Sequence, residues 1–237
     1  LARDWSKWSG RGILSYRSDP TAMLYAGVAR GFKGGDFNGG ALFSPSEANI
    51  VNPESVTSYE AGVKGTWAQR RVAYGLAAFA YDFTDQQVAL VVPGSGGAFQ
   101  SLSNAGKSRV RGVEADVSFT PVAPLVVSAK AGFLDAKFLR FQLDPANPAT
   151  NYANNRLASS PRFSFNGLTR YTLRIADGAS LAVSGAAAYK GAHYFTADNN
   201  PAMYQTGYWL LDADIALSLR DDRYSVKLWV KNAADTR

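Results

Sequence analysis

Apolar and polar residues alternate with a period of two along most of the chain. The clearest case is residues 208–220, where apolar side chains at the odd positions alternate with Asp212, Asp214 and Ser218. Successive side chains of a β-strand point to opposite faces, so this pattern predicts a strand. It recurs in residues 58–67, 125–136, 161–175, 179–190 and 224–232. Residues 72–83 are apolar on both faces, and residues 104–120 switch phase near Gly112, which predicts a bulge there.

The connections between these segments are of two kinds. Short links with turn-forming residues lie at 18–21, 69–70, 121–124, 176–178 and 221–223. Long links rich in Gly, Asn and Pro lie between them, at 32–56, 93–103, 139–160 and 191–206. Short turns at one edge and long loops at the other are typical of an outer-membrane barrel. We therefore predict an all-β, antiparallel, up-and-down transmembrane β-barrel sheet with about ten strands in this chain.

Composition supports this prediction and excludes several function classes. Of 237 residues, 46% are hydrophobic and 19% are charged, against about 25% charged in typical soluble domains. No apolar run approaches the roughly 18 residues of a transmembrane helix, which excludes a helical membrane protein. With no Cys and one His, the chain has almost nothing from which to build a metal site or a Ser-His-Asp triad. We therefore predict no enzyme activity, catalytic residue, metal site or cofactor.

Five sequence motifs then point to a family. They are YAGVARGFKGGDFNGG at 25–40, NPESVTSYEAGVKG at 52–65, FAYDFTDQQ at 79–87, NAGKSRVRGVEADV at 104–117 and LWVKNAAD at 228–235. In this order and spacing the chain resembles the C-terminal part of the barrel of TonB-dependent outer-membrane receptors. The resemblance covers essentially all of residues 1–237.

The resemblance implies a transport function in the outer membrane of a Gram-negative bacterium. Such receptors have a 22-stranded barrel plugged by a separate N-terminal domain. They take up scarce nutrients, most often ferric siderophores or similar iron complexes, with energy delivered through TonB. The implied partners are outer-membrane lipid and lipopolysaccharide, a small-molecule nutrient or metal chelate, and TonB through an N-terminal region. Nucleic acid is not an expected partner, because the basic residues are spread through the strands.

The chain also departs from the family pattern. It contains no plug domain and no TonB box, and it stops at Thr236 and Arg237 where the family continues into a closing strand. The first residues include neither a signal peptide nor an initiator Met. We therefore expect the barrel to be incomplete in this chain, with the plug and the closing strand absent from the sequence.

Candidate substrate-binding residues lie in the long links and on the predicted lumen face. Loop aromatics and polar groups suit the capture of a small molecule, although packing of the loops on themselves explains each one equally well. His193 could contact a ligand or titrate near neutral pH, or be an exposed loop histidine. The full set is Phe32, Phe37, Asn38, Phe43, Glu60, Lys64, Phe99, Gln100, Tyr152, Arg156, Asn166, Arg170, His193, Tyr194, Phe195 and Tyr204.

Two other groups of residues have a structural and a functional interpretation. Lys107, Arg109 and Arg111 form a basic run that could bind lipopolysaccharide phosphates or an anionic substrate, or be a solvated strand end. Candidates for the aromatic girdles at the two membrane interfaces lie near strand ends. These candidates are Tyr25, Tyr59, Trp67, Tyr171, Tyr189, Tyr208 and Trp209.

Three alternative functions stay open at this point. The barrel could be a passive porin or a scaffold subunit of an outer-membrane assembly. It could be an outer-membrane hydrolase that uses a carboxylate pair such as Asp212 and Asp214. The same alternation could also form a soluble carbohydrate-binding β-sandwich, which would not need detergent for extraction.

Overall fold

One antiparallel sheet dominates the computed structural model, which describes residues 3–37, 50–94, 97–144 and 146–236. Its ten strands are β1 Gly10–Asp19, β2 Ala22–Lys33, β5 Glu54–Trp67, β6 Val72–Gly94, β7 Gly97–Val122, β8 Leu125–Arg140, β9 Phe163–Ala176, β10 Ala179–Lys190, β13 Tyr208–Leu219 and β14 Tyr224–Val230; the numbers 3, 4, 11 and 12 belong to short strands outside this sheet. They are hydrogen-bonded in this order, so each strand pairs with the next strand of the sheet along the chain. The prediction of an up-and-down sheet of about ten strands is confirmed.

In the described parts of the long links there are four two-residue strands and two helical turns. β3 Asp36–Phe37 pairs with β4 Ile50–Val51, and β11 His193–Tyr194 pairs with β12 Tyr204–Gln205. The helical turns are single 3-10 turns at Pro148–Thr150 and Pro201–Met203. No helix in the described ranges is long and apolar enough to cross a membrane.

The two faces of the sheet differ in polarity, as the alternation predicts. Cross-strand register puts Tyr59 beside Ala80, Val63 beside Leu76, and Leu76 beside Ala115, all on one face. This apolar face leaves large side chains uncovered, including Trp67 at 72% and Phe133 at 56% exposure. The opposite, polar face has Glu60, Lys64, Asp116 and Asp214 among its residues. An exposed apolar face over a whole sheet is typical of a surface that contacts lipid.

The short links predicted at 18–21, 69–70, 121–124, 176–178 and 221–223 all lie at one end of the sheet. Ala68, Gln69 and Arg70 form one of them, with φ between 51° and 67°. At the opposite end the sheet continues into three of the four predicted long links, at 32–56, 139–160 and 191–206. The single layer of the sheet also contradicts the alternative of a soluble sandwich, which needs two packed sheets.

Two sequence-based predictions about local structure are wrong. Most of the predicted loop at 93–103 belongs to strands, because β6 and β7 continue as one long hairpin in which Val92 pairs with Phe99. Register does not shift at Gly112. A register shift occurs instead at Lys107/Ser108, in the pairing of β7 with β8. Asp85 of β6 has a φ of 55°, but the register of β6 against β7 is the same on both sides of it. Gly112 instead lies beneath the ring of Phe79, its cross-strand partner.

The aromatic girdles also differ in membership from the prediction. Tyr59, Trp67, Tyr171, Tyr189 and Trp209 lie on the apolar face. Tyr25 and Tyr208 are on the polar face, so their assignment to a girdle is wrong. The Tyr25 hydroxyl donates a hydrogen bond to Glu60 Oε1 at 2.7 Å, and Tyr208 is the cross-strand partner of Lys190.

Candidate functional site

The most buried part of the described chain lies at the long-loop end of the sheet. Phe138 at the end of β8, Phe141 and Ala197 form a cluster, packed against Val88, Leu90, Leu143, Tyr152 and Leu157. The rings of Phe138 and Phe141 are 4.9 Å apart, and Tyr152 meets Phe141 edge to face at 5.4 Å. Most of the sheet has little buried surface, so this cluster supplies the packing that orders the loops.

Hydrogen bonds join the two long links 141–162 and 191–207 above the sheet. The Asn199 amide pairs with the backbone of Arg156 in both directions, with Oδ1 accepting from the Arg156 N–H at 2.8 Å and Nδ2 donating to its carbonyl at 2.9 Å. The Arg156 guanidinium donates to the carbonyls of Ser160 and Ala192. Asn155 Nδ2 donates to the Ala197 carbonyl at 3.0 Å. The two links therefore form one body, and the role of Arg156 within it is to join them.

His193 is part of this loop body. It is 1% exposed, its Nδ1 lies 3.0 Å from the Gly191 carbonyl oxygen, and its ring packs edge to face on Phe195 at 5.1 Å. The interpretation of His193 as an exposed loop histidine is therefore wrong, and its contact with a ligand stays a prediction. Its neighbour Tyr194 packs on Tyr204 with the ring centroids 4.9 Å apart.

A cavity of about 560 Å³ opens between the loop body and the extended end of β6. Its walls combine apolar side chains from the cluster with a few polar ones, which is the usual composition of a small-molecule site. The lining residues are Gln86, Gln87, Val88, Ala89, Leu90, Phe138, Leu143, Tyr152, Leu157, Ala158, Phe195, Thr196, Ala197 and Asp198.

Two buried polar atoms of the cavity wall have no hydrogen-bond partner in residues 3–37, 50–94, 97–144 and 146–236. They are Gln87 Oε1 and Thr196 Oγ1. An unpaired buried polar group costs about 1–3 kcal/mol, so such atoms are unusual unless something else binds them. Burial raises the pKa of Tyr152, and the nearby charge of Asp198 raises it further. The phenol therefore stays protonated near neutral pH and can donate a hydrogen bond.

The position of Gln87 is fixed by residues from three of the family motifs. Its backbone N–H donates to Glu54 Oε2 at 2.7 Å, and its side-chain Nε2 donates to the carbonyls of Gly34 and Asn52. Asn104 Nδ2 binds the carbonyls of Asn52 and Asp85. These bonds hold β6 at Asp85, whose φ is 55°, and at Gln87, whose Oε1 has no hydrogen-bond partner among the described residues.

The structure brings together some of the predicted site residues. Tyr152 and Phe195 line the cavity, and Arg156, His193, Tyr194 and Tyr204 build the loop body behind it. Phe32 lies at the end of β2 on the apolar face, and Phe37 packs near Trp5 with the ring centroids 6.0 Å apart, so neither lines the cavity. Asn38 and Phe43 lie outside the described residues, as do the side chains of Phe99 and Gln100.

The remaining predicted residues lie on the polar face of the sheet. Glu60 accepts from Tyr25, and Lys64 Nζ is 6.0 Å from the centre of the same ring. Asn166 and Arg170 occupy the polar face of β9. These positions agree with the predicted lumen face, at a distance along the strands from the loop cavity.

The carboxylate pair considered for hydrolysis has structural partners. Asp214 Oδ1 forms an ion pair with Lys227 Nζ at 2.8 Å, and Asp212 Oδ1 accepts from the backbone N–H of Asn232 at 2.9 Å. Within the described ranges, no three His, Cys, Asp or Glu side chains are grouped so as to hold a metal ion.

Sequence analysis missed most of the cavity wall, including Gln87, Thr196 and Asp198. Gln87 closes the motif FAYDFTDQQ, so its place in a family motif was the available signal. Thr196 and Asp198 follow Phe195 in the loop, but no pattern distinguishes them from ordinary loop residues.

Solved structures with the same fold are barrel receptors and transporters. The chain superposes on the ferric yersiniabactin uptake receptor FyuA from Yersinia pestis with a TM-score of 0.75 and 22% identity, covering 96% of this chain and 32% of that one. The ferripyoverdine receptor of Pseudomonas aeruginosa superposes with a TM-score of 0.68 and 20% identity, covering 99% of this chain and 30% of that one. The copper transporter OprC superposes with a TM-score of 0.70 and 14% identity, covering 96% of this chain and 33% of that one. The chain thus spans about a third of the length of these proteins.

A family model gives the assignment directly. The model described as "TonB dependent receptor-like, beta-barrel" matches residues 1–233. Together with the ten-stranded sheet, its apolar face and its segregated loops, this match confirms the resemblance carried by the five motifs. The chain belongs to the TonB-dependent receptor family of β-barrel proteins in the outer membrane of Gram-negative bacteria.

Proposed function

We propose that the protein containing this chain takes up a metal chelate, in the first instance a ferric siderophore, through the outer membrane. The observation that carries this proposal is the loop cavity with two polar atoms, Gln87 Oε1 and Thr196 Oγ1, that have no hydrogen-bond partner within the part of the chain that the structure describes. The apolar wall would hold the organic part of the chelate, while these atoms and the Tyr152 hydroxyl would fix its orientation.

The names of the similar structures support this substrate class without selecting one compound. Two of them are named for ferric yersiniabactin and ferripyoverdine, and a third for copper. All are under 25% identical to this chain, so the shared feature is the fold. An iron complex is the simplest proposal, and a copper complex is its nearest competitor.

We further propose that the chain is the C-terminal portion of a larger barrel that a plug domain closes. Capture at the loops would precede a rearrangement of that plug, with energy supplied through TonB. Polar-face residues such as Glu60, Lys64, Asn166 and Arg170 would then line the route of the chelate. The mechanism is capture and gated passage, and it leaves the substrate chemically unchanged.

A passive porin or a scaffold subunit is the competing proposal. Either would use the same barrel and the same outer-membrane lipid as a partner. A porin would pass its solute without the proton-motive force, and a scaffold would show no uptake. Measuring uptake with and without the proton-motive force therefore distinguishes an energised transporter, a porin and a scaffold.

The cavity is tested by the substitution Thr196→Val in the full-length protein, purified in detergent. The change keeps the size of the side chain and removes the hydroxyl, so we expect about tenfold weaker binding of the cognate complex if that hydroxyl contacts it. The probes are ferric complexes of hydroxamate, catecholate and mixed-ligand siderophores, followed by quenching of protein fluorescence. The matched control is Thr206→Val, an exposed threonine in the same link and outside the cavity wall.

The control variant should bind as the unmodified protein does. Equal affinity of the Thr196→Val variant and the unmodified protein would contradict a ligand contact at this hydroxyl. Failure of every complex to bind would contradict the proposed substrate class.

A further inference from the structure

On the face of the sheet that is apolar over most of its height, the side chains nearest the long-loop end are charged. On β7 the residues of this face are Phe119, Val117, Ala115 and Val113, followed by Arg111, Arg109 and Lys107. The last apolar level is marked by Tyr59, Val113 and Phe133, all of them exposed. The basic run noted in the sequence is therefore on the lipid-facing side of the barrel, immediately beyond the apolar belt, and away from the lumen.

Neighbouring strands extend this run into a two-dimensional patch. Register pairs Arg109 with Asp82 on β6 and with Lys137 on β8. Asp82 is in turn beside Thr57, and Thr57 is beside Arg30 on β2. Arg111 pairs with Asp135 of β8. We call this surface the basic band, and it consists of Arg30, Lys107, Arg109, Arg111 and Lys137 with Asp82 and Asp135.

The dimensions of the basic band suit several phosphate groups at once. Residues two apart along a strand are about 7 Å apart, and adjacent strands are about 4.8 Å apart. Lys107 to Arg111 thus spans about 14 Å in height, and β2 to β8 spans about 19 Å in width. Five cations and two carboxylates leave a net charge of +3 on this area.

The two carboxylates orient part of the band. Asp82 forms an ion pair with Arg109 Nε, and Asp135 Oδ2 is 3.7 Å from Lys137 Nζ. Arg30 donates to Thr57 Oγ1 at 3.3 Å and stacks over the Trp8 ring at 4.9 Å. Lys107 and Arg111 are exposed and form no ion pair with another residue in the described ranges. The band thus combines held guanidinium groups with two cations that are available to a ligand.

The surrounding surface does not share this character. On the same face of β9, β10 and β13, the long-loop end has the aromatic residues Phe163, Phe165, Tyr189 and Trp209, whose ring centroids are 5.0–5.9 Å apart. At the turn end, cations do not predominate in this way, since Asp221 and Asp222 outnumber Arg223 in one of the turns. An ordinary solvated rim would not gather cations on one sector, so the basic band calls for a separate explanation.

We propose that the basic band binds the phosphate groups of lipopolysaccharide in the outer leaflet. The long loops of an outer-membrane barrel are extracellular, so the band lies at the head-group level of that leaflet. Arginine and lysine bind phosphate through charge-assisted hydrogen bonds, and arginine does so with two parallel donors. The acyl chains of the same lipid would lie against Val113, Val117 and Phe119 below. This inference rests on the outer-membrane location and is independent of the chelate that the loops bind.

The test is the double substitution Lys107→Gln and Arg111→Gln in the full-length, detergent-purified protein. Neither residue has an ion-pair partner in the described chain, so the fold should survive, as an unchanged heat-dependent shift on a denaturing gel would verify. The matched control is Arg70→Gln with Arg71→Gln, two exposed arginines at the turn end. The probes are lipid A with both phosphates, lipid A with the phosphates removed, and inorganic phosphate, measured by native mass spectrometry and by displacement.

We expect the double variant to bind phosphorylated lipid A about tenfold more weakly than the unmodified protein, because two charge-assisted contacts are lost. The control should bind normally, and dephosphorylated lipid A should not distinguish the proteins. Equal binding of phosphorylated lipid A by variant and unmodified protein would overturn the proposal. Displacement of the lipid by inorganic phosphate at equal concentration would also overturn it, since the site would then recognise a free anion. Chelate binding by the double variant should be normal, so failure here is distinguishable from failure of the proposed transport function.

Discussion

At the scale of single residues, the loop body depends on side chains that replace backbone partners. Asn199 has φ 54° and occupies both the N–H and the carbonyl of Arg156, much as a neighbouring strand would. Asparagine tolerates this left-handed conformation better than most residues. Its neighbour Asn200 uses its side chain locally, accepting from the Ala202 N–H in the adjacent helical turn. Asn199 therefore joins the two long links, whereas Asn200 stabilises only the link to which it belongs.

We predict that Asn199→Ala loosens both long links, whereas Asn200→Ala affects only its own. Loss of two hydrogen bonds to a part-buried backbone should cost about 1–3 kcal/mol of loop stability. Amide hydrogen exchange of residues 141–162 and 191–207 measures this directly. Faster exchange in both links for Asn199→Ala, and only in the second for Asn200→Ala, is the expected pattern. Unchanged exchange at 141–162 in the Asn199→Ala protein would show that this bond pair does not join the links.

The residues of the candidate site were the feature that the sequence predicted least well. His193 is the only histidine of the chain and was singled out for that reason, yet its environment is the interior of the loop body. Gln87 lies in a family motif but was not among the predicted site residues, and neither was Thr196, because the significance of both depends on hydrogen bonding in the folded loops. Whether a polar atom is paired is a property of the folded loops and is not contained in local sequence pattern.

At the scale of elements, glycines and aromatic rings pair across strands. Gly112 of β7 lies opposite Phe79 of β6, whose ring also stacks on Tyr81 with the centroids 5.1 Å apart. A Cβ at Gly112 would collide with the Phe79 ring and would come within 2.7 Å of the Phe133 carbonyl oxygen. The carbonyl belongs to the backbone of β8 and has little freedom to move.

We predict that Gly112→Ala destabilises the barrel by about 1–3 kcal/mol, as overpacking does elsewhere. Gly185→Ala is the matched control, because that glycine is also within a strand and has no atom within 4 Å of a new Cβ. The measurement is the temperature at which the purified protein loses its compact form on a denaturing gel. A lower temperature for Gly112→Ala alone is expected, and equal temperatures for the two variants would argue against the collision.

Element boundaries show how far period-two alternation extends. Alternation correctly predicted the strands of the sheet, because lipid on one face and a polar lumen on the other impose opposite polarities on neighbouring residues. Alternation did not predict the strands at 93–103, where β6 and β7 extend past Asp82 and Lys107, the last charged residues on that face of the two strands. No lipid constrains either side of that hairpin, so its glycine and serine residues resembled those of a loop.

At the scale of the whole molecule, the chain is a sheet that separates two solvents. Its apolar face suits hydrocarbon, its polar face suits a wet lumen, and its packed core is confined to the loops at one end. This arrangement explains the low charge content of the sequence and its abundance of exposed aromatic residues. It also puts the loop cavity at the extracellular entrance, where capture of a solute would begin.

The most direct test of the account is energy-dependent uptake by the full-length protein in cells. A Gram-negative host that lacks its own ferric-siderophore receptors would express the protein and receive radioactive iron as each ferric siderophore of the panel. We predict accumulation of at least one complex, abolished by a protonophore or by deletion of the host's tonB gene. Iron accumulation that persists after either treatment would contradict the account and support a passive porin. Absence of accumulation for every complex would contradict iron uptake altogether.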